Sequence, residues 1–401
     1  MERIVLRNAD VIDPLDISAY IERGGFQALS KARKMGADKV IAEVKASNLK
    51  GRGGAGFLTG TKWELAHSSA GSEKYVICNA DEGEVGTFKD RYLIQHDPFS
   101  LIEGIAIAAF AIGAEKAFIY LRGEYHYLLE GLKKALDGAT GKGFINLPIE
   151  IREGAGAYVC GEESALMNSI EGKRGEVRFR PPFPPTSGLF GKPTIINNVE
   201  TLMNIPAIID KGAPWFASIG TPTSAGTKVF SVSGDVTKPG VYELAMGSRL
   251  SDLLTLAGAE EVKMVQIGGA TGGVVPASMA ETPLSFETVL GSGAIMVFNT
   301  SRDVIDFAYR TMEFLNEESC GECTPCREGT QVMVEILERL ATGEGVTDDV
   351  KALEDLSGLM MASSLCGLGQ AAPVPVLDTL KYFRNDYENR IKQSVFLRTL
   401  R

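Results

Sequence analysis

Cys320, Cys323 and Cys326 stand in SCGECTPCREGT with the spacing C-x-x-C-x-x-C, and Cys366 follows in SSLCGLGQAAP after 39 intervening residues. No other feature constrains the fold as tightly, because a short loop and a distant turn must be brought to one point. Thiolates are soft ligands that suit zinc or iron–sulfur clusters. Structural zinc sites more often use two separated C-x-x-C pairs or added histidines. A triplet spaced by two wraps one corner of a cubane, with the last thiolate supplied from elsewhere. In bacterial ferredoxins the fourth cysteine follows closely and precedes proline, and this chain departs from that pattern. The spacing predicts a [4Fe–4S] cluster, with zinc as the alternative. His67, His96 and His126 lie far upstream and offer no imidazole ligand. The bland reading, a metal stapling a helical bundle, suits small chains better than one of 401 residues.

The remaining cysteines, Cys78 and Cys160, sit in the apolar stretches YVICNA and AYVCGE, where a free thiol packs as a small hydrophobe. A formal charge of -10 excludes a broad nucleic-acid face while leaving room for a small basic pocket. The start, MERIVLRNADVIDP, has no signal-peptide core, and the longest apolar run, Ile105 to Ile112, is too short to span a bilayer. The expectation is a cytoplasmic protein without membrane insertion.

Along the chain, strands and helices alternate after a helical or extended opening segment. KYVICNADE, KAFIYLRGE and INLPIEIREGAGAY read as buried strands, and PFSLIEGIAIAAFAIGA, YHYLLEGLKKALDG and CGEESALMNSIEG as helices. That order predicts an α/β doubly wound sheet. RFRPPFPPTSGLFGKP is too rich in proline and glycine for regular structure and must be a surface loop. From TKVFSVSGD to GAIMVFNT the strand, turn, strand, helix pattern predicts a small β-grasp-like unit. VIDFAYRTMEFLNEES, TQVMVEILERLATG, VKALEDLSGLM and VPVLDTLKYFRNDYENRI predict a four-helix bundle. The expected division is 1–45, 46–219, 220–300 and 301–401.

GRGGAGFLTGTKW carries Gly-x-Gly-x-x-Gly from Gly51 to Gly56, the spacing of a dinucleotide loop. The fingerprint should follow a strand, yet VIAEVKASNLK before it has a helical apolar face. Polar residues gather at predicted strand ends: Asn79, Asp81, Glu82 and Glu84 after YVIC, Glu162 and Glu163 near Tyr158, and Asn197 and Asn198 after TII. In a doubly wound sheet these ends share one crevice. Solvated acidic loops are one reading. In the other, carboxylates take sugar or ribityl hydroxyls, while Arg52, Lys62 and helix N-termini take phosphates. Asparagine amides can donate to and accept from an isoalloxazine edge, and Phe57 or Phe183 can stack on a ring.

GRGGAGFLTGTKW, CNADEGEVGTFKDR, AYVCGEESALMNSIEGKRGE, RPPFPPTSGLFGKPTIINNVETL and SCGECTPCREGT…SLCGLG together resemble the NADH-binding flavoprotein subunit of respiratory complex I. The same module is found in soluble NAD-dependent hydrogenases and formate dehydrogenases. The likeness runs from about residue 15 to about residue 385 in one order. It implies a Rossmann-like FMN domain, a ubiquitin-like β-grasp (SLBB) domain and a helical bundle carrying the cluster. It assigns FMN, rather than NAD, to the opening glycine loop. By match to the family motifs, Gly51, Arg52, Gly53 and Lys62 hold the FMN phosphate and ribityl region. Asn79, Asp81, Glu82, Tyr158, Gly161, Glu162, Glu163, Asn197, Asn198 and Thr201 line the flavin. NADH stacks near Gly54, Phe57, Glu84, Tyr158, Glu163, Arg180 and Phe183, with Glu84 and Glu163 nearest the nicotinamide. Cys320, Cys323, Cys326 and Cys366 hold the [4Fe–4S] cluster.

The implied activity is electron input: hydride from NADH to FMN, then single electrons to the cluster and on to partner subunits. No side chain has to act as nucleophile or general acid. The partners implied are a thioredoxin-like [2Fe–2S] subunit and a larger iron–sulfur subunit of hydrogenase, formate dehydrogenase or complex I type. Soluble hydrogenase relatives often add a thioredoxin-like [2Fe–2S] domain and a two-cluster ferredoxin domain, and the cysteine count leads us to expect neither here. Bifurcation of electrons toward ferredoxin would be a property of partner clusters and potentials. Leu65 replaces an aromatic, and Arg180 stands where many complex I members have lysine. Gly83 and Val85 differ from the serine and proline common in complex I, and tilt the resemblance toward a soluble assembly. The acidic Glu84 and Glu163 argue for NADH over NADPH. A scaffold that has lost the flavin is the remaining alternative.

Overall fold

In this computed structural model residues 3–71 and 73–392 are described. Apolar runs ending in polar residues form four parallel strands, β1 (Tyr75–Ala80), β2 (Lys116–Leu121), β3 (Ile149–Glu153) and β4 (Thr194–Asn198). Their order is β3-β2-β1-β4, with β1 paired to both β2 and β4. The chain winds outward from β1 to β3, then returns to place β4 on the opposite side. The β1–β4 boundary is therefore the switch point of the sheet, where an open crevice forms beyond the strand ends.

Helix Pro98–Ile112 is buried along almost its whole length beneath this sheet. Its first-turn proline has no N–H to satisfy, and Asp97 accepts from the Ser100 N–H at 3.1 Å. Helix Val199–Lys211 runs beside it. The opening segment is helical, as Ile17–Glu22, Gln27–Met35 and Ala37–Ala46. The buried Glu103 ties this segment down by accepting from Tyr20 Oη at 2.5 Å and from the Phe26 and Leu29 N–H groups.

A second sheet contains β5 (Thr227–Gly234), β6 (Gly240–Ala245), β7 (Val262–Ile267), β8 (Gly273–Pro276) and β9 (Ala294–Asn299), in the order β6-β5-β9-β7-β8. The run VKMVQIGGATGGVV, which reads as one strand-like segment, is the hairpin β7–β8. Helix Leu250–Ala257 packs on one face of the sheet through Leu250, Leu253 and Leu254. Met264 and Val274 turn to the other face and join the core of the helical part.

That part contains Val304–Glu317, Thr324–Ala341, Asp349–Ser363 and Val374–Tyr382, with the shorter Gly367–Ala371 and Arg384–Glu388. The second of these starts earlier than its apolar periodicity suggests and takes Cys326 into its first turn. The last predicted helix breaks at Phe383.

Candidate functional site

The lip of the first sheet brings together side chains that the sequence scatters over more than a hundred residues. Asn79 pairs in register with Asn198, and Cys78 with Asn197, so both asparagine-bearing strand ends lie at one edge of the crevice. Helix Glu163–Ile170 starts there, capped by Glu162, whose carboxylate accepts from the Ser164 N–H at 2.8 Å and the Ala165 N–H at 3.1 Å. Helix Val199–Lys211 starts there too, capped by Asn198. The glycine loop crosses the same edge. A Cβ on Gly53 would come within 3.1 Å of the Asn198 Cβ, so a larger residue would press on Asn198. Lys62 follows on helix Thr59–Ser68, its ammonium paired with Glu163 and donating to the Ile196 carbonyl at 3.0 Å. Phe57 and Phe183 stand at the rim, 52% and 55% exposed.

The cysteines meet on the helical side. Cys323 stands at the N-cap position of helix Thr324–Ala341 and Cys366 at that of helix Gly367–Ala371, where burial pushes the Cys366 thiol up. Burial pushes the Cys326 thiol up to about 11, and the thiols of Cys323, Cys366 and Cys320 add to that rise across the gap between them. Ser319 Oγ lies 3.3 Å from Cys326 Sγ. Gly369 closes the gap: a Cβ there would fall 2.9 Å from the Cys326 Cβ and 2.6 Å from Ser364 Oγ. Among the described residues no three His, Cys, Asp or Glu side chains converge tightly enough for a single metal ion. The four thiols act on one another electrostatically and so share one neighbourhood.

One segment joins the two places. Tyr158–Gly161 is a short 3-10 turn whose Gly161 carbonyl accepts from Asn79 Nδ2 at 2.9 Å on the crevice side. On the other side the Tyr158 N–H donates to Glu318 at 3.0 Å, and Cys320 and Cys366 pack against the core that holds Val159 and Cys160. Arg174 also donates to the Cys320 carbonyl at 2.8 Å.

Residues 44–207 match the Nuo51 FMN-binding domain, 229–261 an SLBB domain, and 306–390 the iron–sulfur binding region of NADH-ubiquinone oxidoreductase-F. The chain is 43% identical to an NADH-quinone oxidoreductase subunit of Rhizobium meliloti (strain 1021), over 98% of each chain. This chain belongs to the Nuo51 family of NADH-quinone oxidoreductase flavoproteins. It is also 42% identical to the NADP-reducing hydrogenase subunit HndC of Solidesulfovibrio fructosivorans, over 97% of this chain and 83% of that one. The alpha subunit of the NAD-reducing hydrogenase HoxS of Cupriavidus necator is 44% identical over 88% of this chain, which spans 61% of that longer protein. A solved NAD+-reducing [NiFe]-hydrogenase chain superposes with a TM-score of 0.90 at 42% identity, over 98% of this chain and 67% of that one.

As a member of this family, the chain is an NADH-linked flavoprotein with FMN and [4Fe–4S] cofactors, and its residues suit both. Asp81 Oδ2 is buried in the crevice without a partner, an acceptor aligned with nothing in the protein itself. Burial pushes that carboxyl up to about 7, against the pull of Arg122. The four thiols are a donor set for a cluster.

Several residues sit otherwise than the family motif leads one to expect. The Arg52 guanidinium does not reach the crevice. It is wholly buried, donates to the Ala225 carbonyl at 2.6 Å and the Lys50 carbonyl at 3.2 Å, and lies over the Phe286 ring. A guanidinium held this way is a strut against the second sheet, and only the backbone of Arg52 lies in the glycine loop. Thr201 is likewise interior, with its Oγ1 accepting from the Arg52 N–H at 2.8 Å. The Glu82 carboxylate caps helix Lys89–His96 through the Asp90 and Arg91 N–H groups and accepts from Tyr125 Oη, so its side chain is occupied. Arg180 pairs with Glu162 and lies 3.9 Å from Glu163. Glu84 is held by Tyr158 Oη at 2.8 Å and by the Ala270 N–H at 2.6 Å, which ties the crevice to the β7–β8 turn. Sequence reasoning missed Trp63, Lys89 and Asp90, which stand directly behind the asparagines. Their presence in GTKW and FKDR was the available signal.

Burial also pushes the Glu84 carboxyl up to about 7, against the hydrogen bonds from Tyr158 and the loop amides. The unfolded chain releases this proton at about pH 4.3. The folded chain binds it more tightly, so its stabilising contribution is full at acid pH and is lost as pH rises through about 7. Glu84→Gln keeps an acceptor and cannot ionise. Its stability relative to wild type should therefore climb between roughly pH 5 and pH 8. A difference that stays flat in thermal melts across that range would refute the assignment.

Proposed function

We propose that the chain is the NADH-oxidising input subunit of a soluble hydrogenase or formate dehydrogenase assembly in the cytoplasm. Its partners would be a thioredoxin-like [2Fe–2S] subunit and a larger iron–sulfur subunit. The observation that carries this reading is the segment Tyr158–Gly161, which touches the crevice on one side and the cysteine loop on the other. The resemblance at Gly83 and Val85 and the two hydrogenase relatives favour the soluble assembly. A second reading, a subunit of a membrane-associated NADH:quinone oxidoreductase, is favoured by the full-length likeness to the Rhizobium meliloti protein. Among the described residues no helix is long and apolar enough to cross a membrane. We retain the division at 46, 220 and 301 as part of this proposal.

FMN, when bound, accepts a hydride and releases electrons one at a time. The residues' part is to bind, orient and exclude water. Gly51, Gly53 and Lys62 would take the phosphate and ribityl end, and Asp81 a ribityl hydroxyl. Asn79, Gly161, Asn197 and Asn198 would face the ring. Gly54, Phe57, Glu163, Arg180 and Phe183 would receive NADH, with the exposed phenyl rings available for stacking. Tyr158 would fix Glu84 beside the nicotinamide.

Anaerobic purification with co-expressed partners should give a yellow-brown product containing FMN and iron that reduces artificial acceptors with NADH. A colourless product containing zinc would sink the reading. A strong preference for NADPH in the same assay would overturn the choice of donor, for which Glu163 is the argument. Glu163→Gln should weaken NADH use more than FMN retention.

A further inference from the structure

Three asparagine amides edge the crevice, and each has its orientation fixed by groups whose polarity admits no choice. Asn197 Oδ1 accepts from Trp63 Nε1 at 2.9 Å, and an indole N–H only donates. Asn79 Oδ1 accepts from the Asp81 N–H at 3.1 Å, while its Nδ2 donates to the Gly161 carbonyl at 2.9 Å. Asn198 Oδ1 accepts from the Glu200 N–H at 2.9 Å and from Lys89 Nζ at 3.3 Å, and its Nδ2 donates to Asp90 Oδ2 at 2.6 Å. Rotating any of these amides by half a turn would set donor against donor. All three carbonyls are therefore turned into the protein. What remains outside these bonds is N–H: one on Asn79, one on Asn198 and both on Asn197.

Behind Asn198 the lock is electrostatic and dry. Lys89 Nζ lies 2.6 Å from Asp90 and 3.1 Å from Glu200, and Lys228 Nζ lies 2.6 Å from Glu200, with all four side chains at most 4% exposed. Behind Asn197 the lock is a fully buried indole.

We propose that Trp63 and Lys89 are positioning residues: by holding the Asn197 and Asn198 carbonyls inward, they make the amide edge of the crevice a donor-only surface that favours the reduced flavin over the oxidised one. This rests on the reading of the crevice as the FMN site. A hydride carries two electrons and one proton to a neutral ring, leaving NAD+ and a ring with one negative charge. Amide N–H groups bind a neutral ring's acceptors moderately and a charged ring's acceptors about twice as strongly. Donors set in place before the charge arrives need no reorganisation when it does. The edge would thus draw electrons from NADH, and the network would hold it rigid.

The test uses the full chain loaded with FMN. Flavin content of the wild type is measured first, then the affinity for oxidised and reduced FMN and the midpoint potential by spectroelectrochemical titration. Trp63→Phe keeps an aromatic ring and deletes the indole N–H, freeing the Asn197 amide to rotate. It should bind oxidised FMN nearly as wild type and reduced FMN about tenfold more weakly, a fall of about 30 mV for a two-electron couple. Lys89→Met should shift the potential in the same direction, and Lys89→Arg should restore it. An unchanged potential in Trp63→Phe, or equal weakening for both redox forms, would overturn the proposal. Should Trp63→Phe fail to fold, the Lys89→Met and Lys89→Arg pair decides alone: equal potentials overturn the proposal. A wild type that takes up no FMN overturns the flavin reading itself, and this inference with it.

Discussion

Cys366→Ser is expected to disturb the iron–sulfur cluster while leaving the flavin in place. Cys366 enters the ring of thiols from a turn 40 residues beyond Cys326, at the start of helix Gly367–Ala371. Removing it takes away the one ligand that does not come from the C-x-x-C-x-x-C loop. A cubane takes one thiolate per iron, so three thiolates leave one corner without its sulfur ligand, and the iron content and cluster signal of the purified variant should both change. The crevice proposed for the flavin is built from strand ends of the first sheet, and none of the asparagine hydrogen bonds there is made to Cys366. The checks are iron analysis and the low-temperature EPR spectrum of the reduced protein, beside flavin content. An unchanged reduced-cluster signal would show that Cys366 is not a ligand.

Glu200→Ala is expected to cost about 3–5 kcal/mol, the scale for breaking a buried ion pair from one side. Glu200 is wholly buried and accepts from Lys228 Nζ at 2.6 Å and from the Val229 N–H at 2.8 Å, with Lys89 Nζ at 3.1 Å. Burial pushes its carboxyl up, but Lys228, Lys89 and Arg52 outweigh that and hold it below the usual range. Burial pulls the Lys228 ammonium down. Without Glu200, two ammonium groups remain dry with Asp90 as their nearest counter-charge. The contact between the first sheet's helix and β5 should loosen first, because Lys228 and Val229 lie on that strand. Glu200→Gln, which keeps one of the two acceptor oxygens and drops the charge, should fall between wild type and Glu200→Ala. Urea unfolding of the flavin-free chain measures this, and a loss under about 1 kcal/mol would mean that the network is not a structural keystone.

The sequence made the chemistry legible where local spacing dictates it. The cysteine triplet, the apolar strands ending in asparagine and acid, and the proline–glycine loop are each decided within about ten residues. The glycine loop was legible as an anion or nucleotide loop, and the helix before it, Ala37–Ala46, was visible in its apolar face. The residues that mislead are those whose partners lie far along the chain. Arg52 looks like a phosphate ligand until Ala225, 173 residues away, takes its guanidinium. Glu82 looks like a flavin ligand until helix Lys89–His96, too polar to declare itself, presents two N–H groups to be capped. Trp63 and Lys89 carry no motif signal of their own, since their role depends on which way an amide points. Periodicity reports faces, and it does not report which atom of a face is already occupied.

The 3-10 turn Tyr158–Gly161 has a further consequence. Its backbone is clasped by Asn79 on one side and by Glu318 on the other, and its tyrosine ring rests edge-on against Phe314 at 5.4 Å. Any hinge motion that opened the crevice by moving the helical part would have to tear this clasp. Under the proposed assignments this clasp sets the separation between the flavin crevice and the cysteine loop. Electron transfer across that separation should then not respond to solvent viscosity.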